Sequence, residues 1–248
     1  MEKRPFVVEI LGPAGAGKTA VSAVLNSRGA GIKAGITVWG LPLYSLMLSG
    51  FTSLPDLIRL GFDRWRVNTE ELKQVVRLTA LHRLLMQDVN GDPVRWYTAL
   101  FLDEGIIFEL AKPRADIGIG LTNGGLKRWE QNMLDRWSGT LDAVIWLDAP
   151  DTVLVERIRT RAKHHRMKNE PDHEIFDFLK RYRAAFEFVI SELMRRGNIQ
   201  VARIRTEDLD AETLADEILE ITDAVNMPNK AGHTTLTVAR GIENEQAV

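Results

Sequence analysis

Short apolar runs alternate along the chain with longer amphipathic stretches. The run Phe6-Val7-Val8-Glu9-Ile10-Leu11 is rich in β-branched residues and stops at Gly12, which predicts a buried strand. Thr19 to Asn26 predicts a helix closing near Gly29 and Gly31. Ile36-Thr37-Val38-Trp39, between Gly35 and Gly40, predicts a second, shorter strand. From Leu41 to Val89 the pattern is helical: Asn68 with Glu71 forms a capping box, and Leu72, Val75, Val76, Leu78, Leu81 and Leu85 supply an apolar face. Ala99 to Leu102 predicts a buried strand stopped by Asp103-Glu104-Gly105. Asn123 to Arg136 predicts a helix, Ala143 to Leu147 a strand, and Asp151 caps the helix that follows. Ile175, Leu179, Tyr182, Phe186, Val189 and Leu193, spaced by four and three, mark a long amphipathic helix. Ile199 to Ile204 is the last strand, and Leu214, Ile218, Ile221 and Val225 trace the last helix.

Strand and helix thus alternate about five times, with strands apolar on both faces. This order predicts a three-layer α/β fold: a parallel five-stranded sheet flanked by helices and joined by right-handed crossovers. A chain of 248 residues suits one such domain, expected over 1–227, with a polar, mobile tail over 228–248. Composition narrows the picture further. With 45% hydrophobic and 27% charged residues and a net charge of −2, no bulk attraction to nucleic acid or anionic membrane is expected. No apolar run is long enough to span a bilayer. The absence of cysteine excludes disulfides, thiolate metal sites and cysteine nucleophiles, and fits a cytoplasmic protein.

Gly12-Pro13-Ala14-Gly15-Ala16-Gly17-Lys18-Thr19 is a complete phosphate-binding loop in the context that such a loop requires, with a strand before and a helix after. Glycines let backbone N–H groups curl around phosphate oxygens, and the helix beginning near Gly17 adds unsatisfied N–H groups and the positive end of its dipole. Lys18 would meet the β- and γ-phosphates, and the Thr19 hydroxyl would ligate Mg²⁺. The expected ligand is ATP with Mg²⁺, GTP being the alternative. Asp103-Glu104 at the end of an apolar strand has the form of the second carboxylate element of such sites. One carboxylate would hold Mg²⁺ through water, for which Asp103 is the candidate, and one would take a proton; which of the two is the base stays open.

Glu156-Arg157-Ile158-Arg159-Thr160-Arg161 places Arg157 and Arg161 at helical i, i+4 spacing, and Lys163, His164, His165, Arg166 and Lys168 follow before Pro171. Such a run is either a solvated basic surface or a lid that closes on a transferring phosphoryl group. Trp146-Leu147-Asp148-Ala149-Pro150, Glu156 to Arg161, and then Phe176-Asp177-Phe178-Leu179-Lys180-Arg181-Tyr182-Arg183 resemble the second half of thymidylate kinases and related nucleoside and nucleotide kinases. With the phosphate loop, the resemblance runs through most of residues 5–225 and is dense in the loop and in 142–183. It implies a helical lid over about 161–174, Arg157 and Arg161 on its ATP side, and a Thr206-Glu207-Asp208 loop near the adenine. Thymidylate kinases carry an Asp-Arg-Tyr motif after the third strand, and deoxynucleoside kinases Glu-Arg-Ser. Asp103-Glu104-Gly105 has no such arginine, which points to an acceptor other than thymidylate.

In this architecture the acceptor pocket is lined by helices over about 41–97. Among Trp39, Tyr44, Phe62, Arg64, Trp65, Arg66, Arg83, Trp96 and Tyr97, the acceptor candidates are Arg64, Arg66 and Trp39. The expected partner is a small-molecule phosphoryl acceptor. The resemblance also implies that the apolar segment Leu41 to Leu60 is either a homodimer face or internal core. His164, His165 and His173 with Glu170 and Asp172 fit no strong zinc spacing, and a basic lid accounts for them better. The leading expectation is a phosphotransferase using Lys18, Asp103, Glu104, Arg157 and Arg161. The alternatives are a nucleotide-hydrolysing or nucleotide-sensing module and a scaffold that keeps its nucleotide site for stability.

Overall fold

The computed structural model describes residues 4–29, 31–40, 69–87, 97–117 and 124–226. Five parallel strands, β1 (Phe6–Leu11), β2 (Ile32–Thr37), β3 (Ala99–Glu104), β4 (Ala143–Asp148) and β5 (Gln200–Arg205), form one sheet in the order β2-β3-β1-β4-β5. Seven helices accompany them among the described residues: α1 (Lys18–Ser27), α2 (Thr69–Gln87), α3 (Ile106–Ile117), α4 (Gly124–Ser138), α5 (Asp151–Thr160), α6 (Asp172–Met194) and α7 (Ala211–Asn226). One group, α1 with α7, packs against the sheet at β2, β3 and β4. The other has α3 on β1 and β3, α6 against α3, α4 and α5, and α2 against α3 and α4. This is the predicted three-layer architecture. None of the described helices is long and apolar enough to cross a membrane.

The central strands are nearly continuous apolar runs because both of their faces are covered. Val8, Ile10 and Leu11 of β1 and Val144, Ile145 and Leu147 of β4 are fully enclosed. The exception is Glu9, a carboxylate with no solvent exposure in the middle of the central strand. It accepts hydrogen bonds from the backbone N–H groups of Ile107 (3.1 Å) and Phe108 (3.0 Å) at the start of α3. The first N–H groups of a helix have no partner within it, so the carboxylate caps α3 from across the sheet. Its approach requires Gly105, where a Cβ would lie 2.7 Å from the Glu9 carboxyl carbon. Burial pushes the Glu9 pKa up to about 7, against the lowering effect of those N–H groups.

Several boundaries differ from the sequence reading for local reasons. The second strand occupies Ile32–Thr37, not Ile36 to Trp39, because Gly35 at φ +72° is an irregular point inside the strand and not its edge. Val38 and Trp39 already belong to the following turn. Helix α3 went unpredicted, since Pro113 lies inside it and Gly105 directly precedes it. Asp151 does not cap α5: Pro150 holds the cap position, and the Asp151 carboxylate pairs with Arg183 at 2.6 Å. The expected helical lid is a strap of turns over 161–171 between α5 and α6, in a segment crowded with like charges and closed by Pro171. The tail over 228–248, the Asn68 cap and the proposed dimer face from Leu41 to Leu60 lie outside the described residues.

Replacing Glu9 with Ala strands one buried and one partly buried N–H group and opens a cavity, so unfolding in urea should show a loss of about 2–4 kcal/mol. Gly105→Ala should also destabilise, but markedly less in the Glu9→Ala background than alone, because the clash is with Glu9. Equal penalties in both backgrounds would refute that coupling.

Candidate active site

The loop between β1 and α1 is wedged against the end of β4 and the first turns of α5. A Cβ on Gly12 would lie 2.3 Å from the Leu147 carbonyl oxygen, and one on Gly15, at φ +88°, would lie 3.0 Å from that of Leu154. Only glycine permits both approaches. Gly17 is the N-cap of α1 and gives it no side-chain cap, and no acid occupies the first turn. The opening N–H groups of α1 and its dipole are therefore left for an anion. Pro13 and Ala16 are buried, Ala14 is half-buried, and Thr19 is exposed at the mouth of the loop.

Lys18 is half-buried and curls back to donate to the Gly12 and Pro13 carbonyls at 2.7 and 3.1 Å. Burial lowers its pKa, and Asp103 and Glu104 act in the opposite direction while Arg161 adds to the lowering. Burial raises the pKa of Asp103, opposed by Lys18 and Lys163. Glu104 is raised by burial and by Asp103, opposed by Lys18, Lys112 and Lys163. Residues from β3, α1 and the strap thus share one electrostatic cluster at the ends of the strands. Asp103 Oδ1 is buried there with no hydrogen-bond partner among the described residues. A carboxylate oxygen left so is costly unless something absent from the bare chain satisfies it. Mg²⁺ or its bound water would satisfy that oxygen when a phosphate is held at the loop, with Thr19 and Asp103 as the residues that would hold the ion.

Arg157 of α5 is committed to three carbonyls and one hydroxyl. Its guanidinium donates to Gly15 O (3.4 Å), Thr206 Oγ1 (3.1 Å), Thr206 O (2.7 Å) and Glu207 O (3.3 Å). Thr206 itself is buried and hydrogen-bonds the Asp148 carbonyl through its backbone N–H at 2.8 Å. Arg157 therefore pins the phosphate loop to the turn after β5. Arg161 is the C-cap of α5: its N–H donates to the Arg157 carbonyl at 3.2 Å, and the chain leaves the helix after it, at ψ 141°. Arg161 is within electrostatic reach of Lys18. The strap is docked at Arg166, which pairs with Asp116 of α3; the Tyr182 hydroxyl donates to the same carboxylate at 3.1 Å.

Of the acceptor candidates, Trp39 is 51% exposed in the turn after β2, while Arg64 and Arg66 lie outside the described residues. No group of three His, Asp or Glu side chains among the described residues is placed to hold a metal ion, so the histidines of the strap form no such site there. Three residues near the site went unnoticed in the sequence. Arg77 and Lys112 flank Trp39, with 3.7 and 5.5 Å from their charged groups to a ring centroid. Glu109, 4% exposed, is raised to about 7 by burial, modulated by Lys112, Glu104 and Arg77. Lys112 and Glu109 were hidden with α3 itself, whereas Glu9 was visible as a lone charge in an apolar strand.

No protein-family model matches the chain, and no curated protein does. Among solved structures, thymidylate kinase from Candida albicans is similar over 89% of this chain and 92% of its own, with 15% identity and a TM-score of 0.53. YorR from Bacillus subtilis, in complex with phosphorylated GDP, is similar over 92% and 99%, with 15% identity and a TM-score of 0.49. Deoxyadenosine kinase from M. mycoides with bound dCTP is similar over 88% and 99%, with 18% identity and a TM-score of 0.48. The chain has the fold of P-loop nucleotide kinases.

Arg157→Ala should weaken binding of MgATP about tenfold or more by freeing the loop, measured by calorimetric titration; unchanged affinity would contradict the pinning role. Glu109 gives a signed pH effect. Its pKa is raised in the fold, so the native state holds the proton longer, and stability falls as pH rises from about 4.5 through 7. Relative to the wild type, Glu109→Gln should gain roughly 1–3 kcal/mol in urea unfolding between pH 5 and pH 8. A pH-independent difference would show that the carboxyl titrates normally.

Proposed function

We propose that the protein is an ATP-dependent phosphotransferase that moves the γ-phosphoryl group to a small-molecule acceptor, a nucleoside, nucleotide or similar compound. The observation that carries this reading is the meeting of Lys18 with Asp103 and Glu104 at the phosphate loop, with one buried Asp103 oxygen left unsatisfied. The similarity to thymidylate kinase supports the fold in which such a transfer occurs.

The backbone N–H groups of Gly15 to Lys18 hold the phosphate chain, and Lys18 turns from the loop carbonyls onto the β- and γ-phosphates. Mg²⁺, when bound with ATP, supplies charge neutralisation across those phosphates. The acceptor oxygen forms its bond to the γ-phosphorus as the bond to the β,γ-bridging oxygen breaks, and ADP leaves with that electron pair. When the acceptor is an alcohol, Asp103 or Glu104 takes its proton; burial lifts both above the usual carboxylate range, which makes each a better base. The strap from Arg161 to Pro171 closes the site against water.

ADP release should be measured with a panel of nucleosides, nucleotides, sugars and aminoglycosides. At least one should raise the rate tenfold or more over the acceptor-free rate, and Lys18→Ala should lower that rate by about 100-fold or more. ADP release that no acceptor stimulates would overturn the transferase reading in favour of a nucleotide hydrolase.

A further inference from the structure

The position after Asp103 is Glu104, so a cation for the acceptor cannot come from the end of β3. Two cations come instead from the neighbouring helices. Trp39, on the turn after β2, is 51% exposed, so its ring is open to a ligand from solvent. The Arg77 guanidinium of α2 lies 3.7 Å from the centroid of a Trp39 ring, and the Lys112 ammonium of α3 lies 5.5 Å from it. Among the described residues neither cation is paired with a carboxylate at salt-bridge distance.

Glu109, a buried acid on which both cations act, does not compensate them fully. It is 4% exposed, its Oε1 has no hydrogen-bond partner among the described residues, and burial holds it up at about 7, so near neutral pH it is protonated part of the time. Lys112 also acts on Glu104, and Glu104 on Lys18. An alternating row of charges therefore runs from the phosphate loop through Glu104, Lys112 and Glu109 to Arg77. Its outer end is an exposed indole with the Arg77 and Lys112 charges at its ring, both of which act on Glu109.

We propose that Trp39, Arg77 and Lys112 form the acceptor's anion subsite, which takes a phosphate or carboxylate group of the molecule being phosphorylated. This rests on the phosphotransferase reading above. Arg77 lies over the indole at 3.7 Å from its centroid, a contact that leaves the edge N–H groups of a guanidinium able to reach an anion. Lys112 supplies the second charge from the side nearer Glu104. The anion thus gives the acceptor its orientation toward the γ-phosphate, and neutral analogues lack that hold.

The test uses the full chain, with and without a non-hydrolysable ATP analogue and Mg²⁺, in calorimetric titrations with matched probes. These are nucleosides against their 5′-monophosphates, and glucose against glucose 6-phosphate and glucuronate. In at least one set an anionic member should bind tenfold or more tightly than its neutral partner. The phosphate and carboxylate arms tell which anion is taken. Arg77→Gln and Lys112→Gln should each remove most of that preference while leaving affinity for the ATP analogue unchanged; circular dichroism melting checks that the variants fold. The proposal is overturned if no anion is preferred, if the preference survives in the double variant, or if ATP-analogue affinity falls with it, which would make the cluster a donor site. Failure of the ATP analogue to bind would instead sink the phosphotransferase reading, while the titrations without it still report on the anion subsite.

Discussion

The fold turns on one close approach, that of the phosphate loop to the carbonyl end of β4. Gly12 lies where any Cβ would meet the Leu147 carbonyl at 2.3 Å, and Gly15 lies almost as close to Leu154. This contact seats the loop on the central strand and brings α5 down over it. Arg157, rooted in α5, can then reach both Gly15 and Thr206. Strand order does the rest: β1 lies between β3 and β4, so the loop has the β3 carboxylates on one side and α5 on the other. A ligand crevice at the carboxyl ends of the strands is the expected outcome for an open parallel sheet.

The charges around the loop work as a set because few of them see bulk water. Lys18 is depressed by burial, Asp103 and Glu104 are raised by it, and each opposes the shift of the other sign. None is neutralised by a close hydrogen-bonded ion pair among the described residues. Lys18 instead leans on loop carbonyls, which are weak substitutes for a phosphate. A binding event that places negative charge at the loop therefore finds donors already oriented and needs little reorganisation. Glu9 contributes at one remove, by fixing the start of α3 just after the end of β3, which carries Asp103 and Glu104.

Much of this was legible in the residues themselves. Strands β1, β3 and β4 announced themselves as apolar runs with sharp polar ends, and the phosphate loop as fixed residues between a strand and a helix. What stayed hidden depended on geometry that crosses the sequence. Helix α3 was masked by Pro113, and with it went Lys112 and Glu109. The Gly35 irregularity was indistinguishable from a strand boundary. Arg157 resembled a lid arginine in its motif, but its four acceptors come from segments distant in sequence, and only the packed fold reveals them. Arg77 lies on a helix whose apolar face was evident, yet its stacking on Trp39 was not.

The central claim concerns where the γ-phosphorus goes, and phosphorus NMR follows that atom directly. Incubated with MgATP and an acceptor that stimulates turnover, the protein should convert the γ-phosphorus signal into a new phosphoester or phosphoanhydride resonance on the acceptor, in step with the growth of ADP. Appearance of the same phosphorus as inorganic phosphate, with the acceptor unchanged, would contradict the account.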